Sequence, residues 1–179
     1  MQAATPEIQI TTQLIRENGK FPNNPDLPVI IYKNAFATGT EDLAAALEKS
    51  FKKNHWTDAW RNGIYEYPHY HSTAHEVLGV SEGYVIVELG GPNAFKFRLN
   101  KGDVVVLPAG VTHKNIECSK DFEVVGAYPK GQQYDLLTGK PGEKEAAIQN
   151  IQKVPLPEAD PVTGKQGGLM EKWTSFTDR

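Results

Sequence analysis

The chain has 179 residues, enough for one domain with its own hydrophobic core and too few for two full ones. It carries 19 basic and 22 acidic residues, a formal net charge of −3, and no basic run longer than the Lys52-Lys53 pair. That balance excludes binding to nucleic acid or to an anionic membrane surface by bulk charge.

The start, Met1-Gln2-Ala3-Ala4-Thr5-Pro6-Glu7, has neither a basic stretch nor an apolar one of signal-peptide length. No apolar run approaches a membrane span. A single cysteine, Cys118, leaves no internal disulfide and reads as an inert small residue. The expectation is a cytoplasmic protein that needs no cross-links.

In chain order, Leu27-Pro28-Val29-Ile30-Ile31-Tyr32 is an apolar, β-branched run of strand length. Thr38 followed by Glu41 resembles a capping box for a helix over 41–53. Leu43, Leu47 and Phe51 fall on one face of that helix, and Lys52-Lys53 close it. From Gly63 onward the pattern changes to short strands, expected near 63–71, 76–80, 83–89, 95–99, 103–107, 112–117 and 121–128. Gly90-Gly91-Pro92-Asn93 and Asn100-Lys101-Gly102-Asp103 supply turns between them. Many short strands at this spacing predict a mainly all-β sandwich or jelly-roll barrel.

After Tyr128 the chain becomes rich in Gly and Pro. Glu143 to Lys153 predicts a short helix after Pro141, and Pro155, Pro157 and Pro161 enforce extended loop. Leu169, Met170, Trp173 and Phe176 make the end too apolar for a free tail, so it should pack on the barrel or on a neighbouring subunit. The segments 1–62, 63–128 and 129–179 are therefore expected to form a covering strand and helix, a barrel core, and an extension of one domain.

Four of the five histidines lie between residues 69 and 113. In a strand His69 and His71 share a face, Glu76 opens the next strand, and His113 arrives on a separate hairpin turned by Pro108-Ala109-Gly110. Three imidazoles and a carboxylate converging in a barrel suit Fe, Mn, Ni, Zn, Co or Cu. On an octahedral ion they would leave two positions open, whereas a closed structural site would carry more thiolate.

Both stretches resemble the two sequence motifs of the cupin family, G-x5-H-x-H-x(3,4)-E-x6-G and G-x5-P-x-G-x2-H-x3-N. The first matches at every specified position from Gly63 to Gly83, and the second from Gly102 to His113. Glu117 stands where the motif ends in Asn. The resemblance covers about a third of the chain. It implies a double-stranded β-helix, the cupin jelly-roll barrel, holding one divalent transition metal on His69, His71, Glu76 and His113. It also suggests a homodimer, with the N-terminal strand and the apolar C-terminal tail at the contact.

Around that set, Tyr65 and Tyr67 share the parity of His69 and His71 and are expected to face the cavity as candidate catalytic groups. Asn115 and Glu117 share the parity of His113, which makes Glu117 a candidate general base or a support for the ligands. His75 precedes Glu76 and should face away from it. His75-Glu76 does not extend to the zinc-protease pattern H-E-x-x-H, because position 79 is Gly. Jelly-roll 2-oxoglutarate oxygenases pair His-x-Asp/Glu with a basic residue downstream. Here the pattern is His-x-His, and the only arginine after His113 is Arg179. The remaining readings are a metal-dependent dioxygenase, a metal-assisted isomerase or epimerase, and a small-ligand-binding protein without turnover.

Overall fold

The computed structural model describes residues 6–173. Nine strands form two antiparallel sheets: β1 (Gln9–Ile15), β2 (Asn24–Lys33), β3 (Trp56–Asn62), β4 (Glu76–Glu82), β5 (Tyr84–Leu89), β6 (Phe95–Asn100), β7 (Val104–Leu107), β8 (His113–Cys118) and β9 (Glu123–Pro129). The larger sheet runs β1-β2-β7-β4-β9-β3 and the smaller β6-β5-β8. Helices α1 (Leu43–Lys53), α2 (Glu143–Lys153) and α3 (Gly168–Lys172) complete the described chain. None is long and apolar enough to cross a membrane.

Strand alternation explains how the layers hold together. Val29 and Ile31 of β2 point inward with Leu78, Val80 and Val105, and meet Val85, Val87 and Leu89 of the small sheet in one buried cluster. Ile30, Tyr32, Val77, Val104 and Val106 point outward, where Leu43, Leu47 and Phe51 of α1 cover them together with Leu169 and Trp173. Strands buried on both faces must be apolar throughout, which is why β2 and β7 read as continuous β-branched runs. This is the jelly-roll arrangement, two antiparallel sheets enclosing one core.

Three expectations need correction. The segment 63–71 is not a strand. It holds only isolated bridges, at His69 and Tyr70, and Pro68 interrupts it. The strand before it is β3, whose alternation is hidden by a bulge between Thr57 and Trp60, with Asp58 in the left-handed region (φ 57°). The Thr38–Glu41 capping box does not form. Asp42 caps α1 instead, its side chain accepting from Ala45 N at 3.0 Å, while Thr40 closes a separate turn on Ala37. Edge strand β1 has no counterpart in the expected elements.

The C-terminal segment packs on its own barrel. Trp173 is fully buried and donates from Nε1 to the Pro28 carbonyl at 2.9 Å. Phe176 lies outside the described residues.

The Pro108-Ala109-Gly110 turn requires its glycine. Gly110 has φ +95°, and a Cβ there would sit 2.4 Å from the Asn23 carbonyl oxygen. Gly110→Ala should therefore lose at least about 1–2 kcal/mol from backbone conformation alone, before the clash. Urea denaturation measures this, and an unchanged midpoint would contradict it.

Candidate metal centre

The imidazoles are brought together by backbone pairing. His69 and His113 exchange both backbone hydrogen bonds, His69 N to His113 O at 3.2 Å and His113 N to His69 O at 2.9 Å. The N–H of Gly110 donates to the His71 carbonyl at 2.7 Å, tying the second hairpin to the first. Glu76 enters from the first residue of β4, opposite Leu107 of β7. His69, His71 and His113 are all buried, and their potential ligand atoms lie within 4.8 Å of one another.

Each of the three imidazoles has its Nδ1 against a backbone carbonyl. His69 meets Tyr67 O at 2.9 Å, His113 meets Val111 O at 3.0 Å, and His71 meets Asp135 O. A carbonyl only accepts, so each Nδ1 carries a hydrogen and donates. When the ring is neutral, Nε2 is left as a lone pair, the only ring nitrogen that can coordinate an ion. The close set of ligand atoms is the three histidines, and the Glu76 carboxylate lies against two of them, Oε1 at 3.3 Å from His113 Nε2 and Oε2 at 3.4 Å from His71 Nε2. The donor set fits a borderline divalent transition metal: three imidazole nitrogens, one buried carboxylate and no thiolate.

The electrostatics agree with a site built for positive charge. Burial drives His69 down to about 3, and the neighbouring His113 adds to the effect. Burial also works against charge on His71, yet the Glu76 carboxylate beside it lifts that ring above its ordinary value. Glu76 is held well below the carboxylate range, because His71 and His113 outweigh the burial that would raise it. A carboxylate kept ionised in a dry pocket needs a cation, carried by imidazole protons or by a metal ion.

His75 belongs elsewhere. Its Nδ1 accepts from the Ala109 N–H at 2.8 Å, and its ring tilts against Trp173 with centroids 4.8 Å apart. Complete burial drives it down to about 3, so it stays neutral against Trp173, outside the imidazole cluster.

The flanking candidates divide. Tyr65 lines the cavity beside the imidazoles, and Tyr67 stacks behind it with centroids 4.9 Å apart. Tyr67 serves His69 through its backbone carbonyl. Glu117 is exposed and accepts from the Tyr84 hydroxyl at 2.7 Å. A bulge explains why it leaves the cluster: Asn115 pairs with Val87 and Glu117 with Ile86, neighbours on β5, so Ile116 is the extra residue that breaks their shared parity.

Sequence reasoning missed the opposite wall. Tyr128 and Tyr134 stack at 4.6 Å, and the Tyr134 ring stands edge-on to His71 at 5.2 Å. Trp60 donates from Nε1 to the Tyr128 hydroxyl oxygen at 2.9 Å. Burial, reinforced by the Glu76 charge and a hydrogen bond to that carboxylate, raises Tyr128 far above the usual phenol, so it remains a proton donor. Gly126 held the signal: a Cβ there would lie 2.3 Å from the Trp60 ring, so the glycine in an apolar strand marks a close approach. Together these groups enclose a cavity of about 620 Å³ beside the imidazoles.

The loop after β9 is pinned by Asp135, whose carboxylate accepts from Ser72 N at 2.6 Å and also from the Ser72 hydroxyl. Ser72→Ala loosens the carbonyl that orients His71. It should weaken metal affinity by about tenfold. Competition with a chelating dye reads this, and unchanged affinity would mean that the loop does not support the ligand.

The family model described as "Cupin" matches residues 56–136. The uncharacterized protein YjlB of Bacillus subtilis (strain 168) is 40% identical over 167 residues, 93% of this chain and 98% of that protein. The chain is a cupin. Among solved structures, a DUF861 family protein from Thermotoga maritima is 26% identical, with a TM-score of 0.33, over 57% of this cupin and 98% of that chain. The coconut allergen cocosin is 21% identical with a TM-score of 0.38, over 45% of this cupin. This cupin spans about a quarter of that chain's length (23%).

Proposed function

We propose that this cupin is a metal-dependent enzyme acting on a small organic molecule, with one divalent transition metal held by His69, His71, His113 and Glu76. The observation that carries the reading is the shared orientation of all three rings, each Nδ1–H committed to a backbone carbonyl so that only Nε2 is left to coordinate an ion. Such an ion would supply Lewis acidity or, for a redox-active metal, electron-transfer chemistry toward dioxygen.

The chain's own residues do the rest. The cavity walls bind the substrate and exclude water beside the cluster. The Tyr128 hydroxyl keeps a proton in place at the Glu76 carboxylate, and Tyr65 presents a second phenol from the opposite side. Tyr65 is the side chain we assign to substrate hydrogen bonding, with Tyr128 committed to Trp60 and Glu76, and Glu76 kept for the ion.

Metal analysis of protein purified without chelators or an immobilised-metal column should give close to one transition-metal ion per chain. Background metal after loading with Fe, Mn, Co, Ni and Zn in turn would remove the reading. Oxygen uptake by the iron-loaded protein during a substrate screen separates a dioxygenase from an isomerase or epimerase. A ligand bound without turnover in every metal form would make the protein a binding module.

We also place this cupin in the cytoplasm as a homodimer. Edge strand β1 with Ile8 and Ile10 exposed is the contact face, testable by sedimentation.

A further inference from the structure

Two stacked tyrosine pairs flank the imidazole cluster. Tyr65 lies on Tyr67 with planes 17° apart, and its ring meets His69 edge-on at 5.1 Å. Tyr134 lies on Tyr128 with planes 19° apart, and meets His71 at 5.2 Å. In the second pair Tyr128 is buried and Tyr134 is 53% exposed; in the first both rings are open, Tyr65 at 53% and Tyr67 at 43%, and of these Tyr65 and Tyr134 line the cavity. Large aromatic rings half-open to water at the mouth of a concave site are what a ligand covers.

The rest of the wall narrows the ligand class. Trp60, Ile64, Leu78 and Leu136 make its apolar part. Two polar residues at the rim, Arg61 and Asn62, are already engaged. Arg61 is held by Glu48 through Nε at 2.7 Å and Nη2 at 2.9 Å, and Asn62 Oδ1 accepts from Gly63 N at 2.7 Å. The Tyr128 oxygen takes the Trp60 N–H. A sugar would bring several hydroxyls against the apolar wall of Trp60, Ile64, Leu78 and Leu136, and each one left there without a hydrogen bond counts against binding. An aliphatic carboxylate would have to pull Arg61 from Glu48. A flat apolar ring extends either tyrosine stack by one layer, in the offset arrangement that aromatic rings favour.

We propose that the cavity takes a planar aromatic ring, stacked on the open face of Tyr65 or Tyr134, with an oxygen substituent directed at the imidazole cluster. This rests on the reading of the cavity as the substrate site, and names the substrate class for it.

The test uses the full-length protein as purified, with p-cresol as the probe because a single phenol chelates metals poorly. Methyl β-glucopyranoside and succinate are the comparators, and binding is followed by saturation-transfer NMR and calorimetry. Saturable p-cresol binding, about tenfold or more tighter than either comparator, is expected. Tyr134→Leu and Tyr65→Leu should weaken the probe, at least one of them by about 3–10-fold, whereas Tyr134→Phe, which keeps the ring and loses no hydroxyl assigned to the substrate, should bind it as the wild type does. Both positions are exposed, and melting curves confirm that each variant is folded. Binding of the glucoside or succinate as tight as that of p-cresol overturns the proposal, as does probe affinity unchanged in both leucine variants. Metal content is measured on the same samples. Tyrosine-dependent p-cresol binding in a protein that takes up no metal would overturn the metal assignment and leave this inference standing. Metal without p-cresol binding would do the reverse.

Discussion

Replacing His71 and His113 together by alanine should reduce bound transition metal from close to one ion per chain to background, while the protein remains folded. The size of the effect follows from how the donors are held. Each ring has its Nδ1–H committed to a carbonyl, so no rearrangement of the remaining groups supplies a replacement nitrogen. His75, the nearest other imidazole in sequence, has its Nδ1 occupied by the Ala109 N–H and its ring against Trp173. Removing two of three imidazoles leaves His69 and Glu76, a pair with too few donors to compete with water and buffer for the ion. Two unlike elements supply the lost ligands, the segment before β4 and the first residue of β8, so the result also tests whether both hairpins serve one ion. Wild type and variant carrying equal amounts of metal would refute the ligand set. A thermal melt run in parallel separates loss of ligands from loss of fold.

The cluster itself was legible in the sequence because its spacing is unusual. His69 and His71 do share the site although the strand expected around them does not form. What places them is the pair of hydrogen bonds between His69 and His113, a long-range contact that no local pattern announces. Strands β4 to β9 were readable because Val104–Leu107 and its neighbours are apolar runs between glycine turns. Edge strand β1 was not, since Gln9, Thr11 and Thr12 face water beside an exposed Ile10, leaving no alternation to detect. Helix α2 could be bounded to the residue because Pro141 and Gly142 precede it and Val154 with Pro155 follows.

The second wall of the cavity was hidden for a different reason. Tyr128 and Tyr134 straddle the end of β9 and the loop beyond it, and only tertiary packing brings them to His71. Glu117 failed to join the cluster because one extra residue, Ile116, reverses the face of everything after it. A parity argument holds along a strand only as far as its first bulge. That limit accounts for both the error at Glu117 and the concealment of β3.

Asp160→Ala should give the largest loss of stability of any single polar substitution proposed for this chain, about 3–6 kcal/mol. Asp160 is fully buried on the outer face of the large sheet, far from the cluster in function though not in importance. Its Oδ2 accepts from the Tyr32 hydroxyl and from Leu169 N at 2.7 Å, and its Oδ1 from Val162 N at 2.7 Å and Thr163 N at 2.8 Å. One carboxylate therefore pins β2, the 160–164 turn and the start of α3, and through α3 it seats Leu169 and Trp173 over the sheet. Alanine leaves the Tyr32 hydroxyl and the Leu169 N–H buried without an acceptor, and each such orphan costs about 1–3 kcal/mol. Water entering the gap satisfies some of them, which keeps the sum below four full penalties. Asp160→Asn retains one acceptor oxygen but turns an amide toward other donors, so it should fall between wild type and alanine. Urea denaturation measures both variants. Because Asp160 touches neither the imidazoles nor the cavity wall, metal content in the folded variant should stay at the wild-type level. A loss under about 1 kcal/mol, within the range of an ordinary surface change, would show that the C-terminal segment is held by its apolar residues alone.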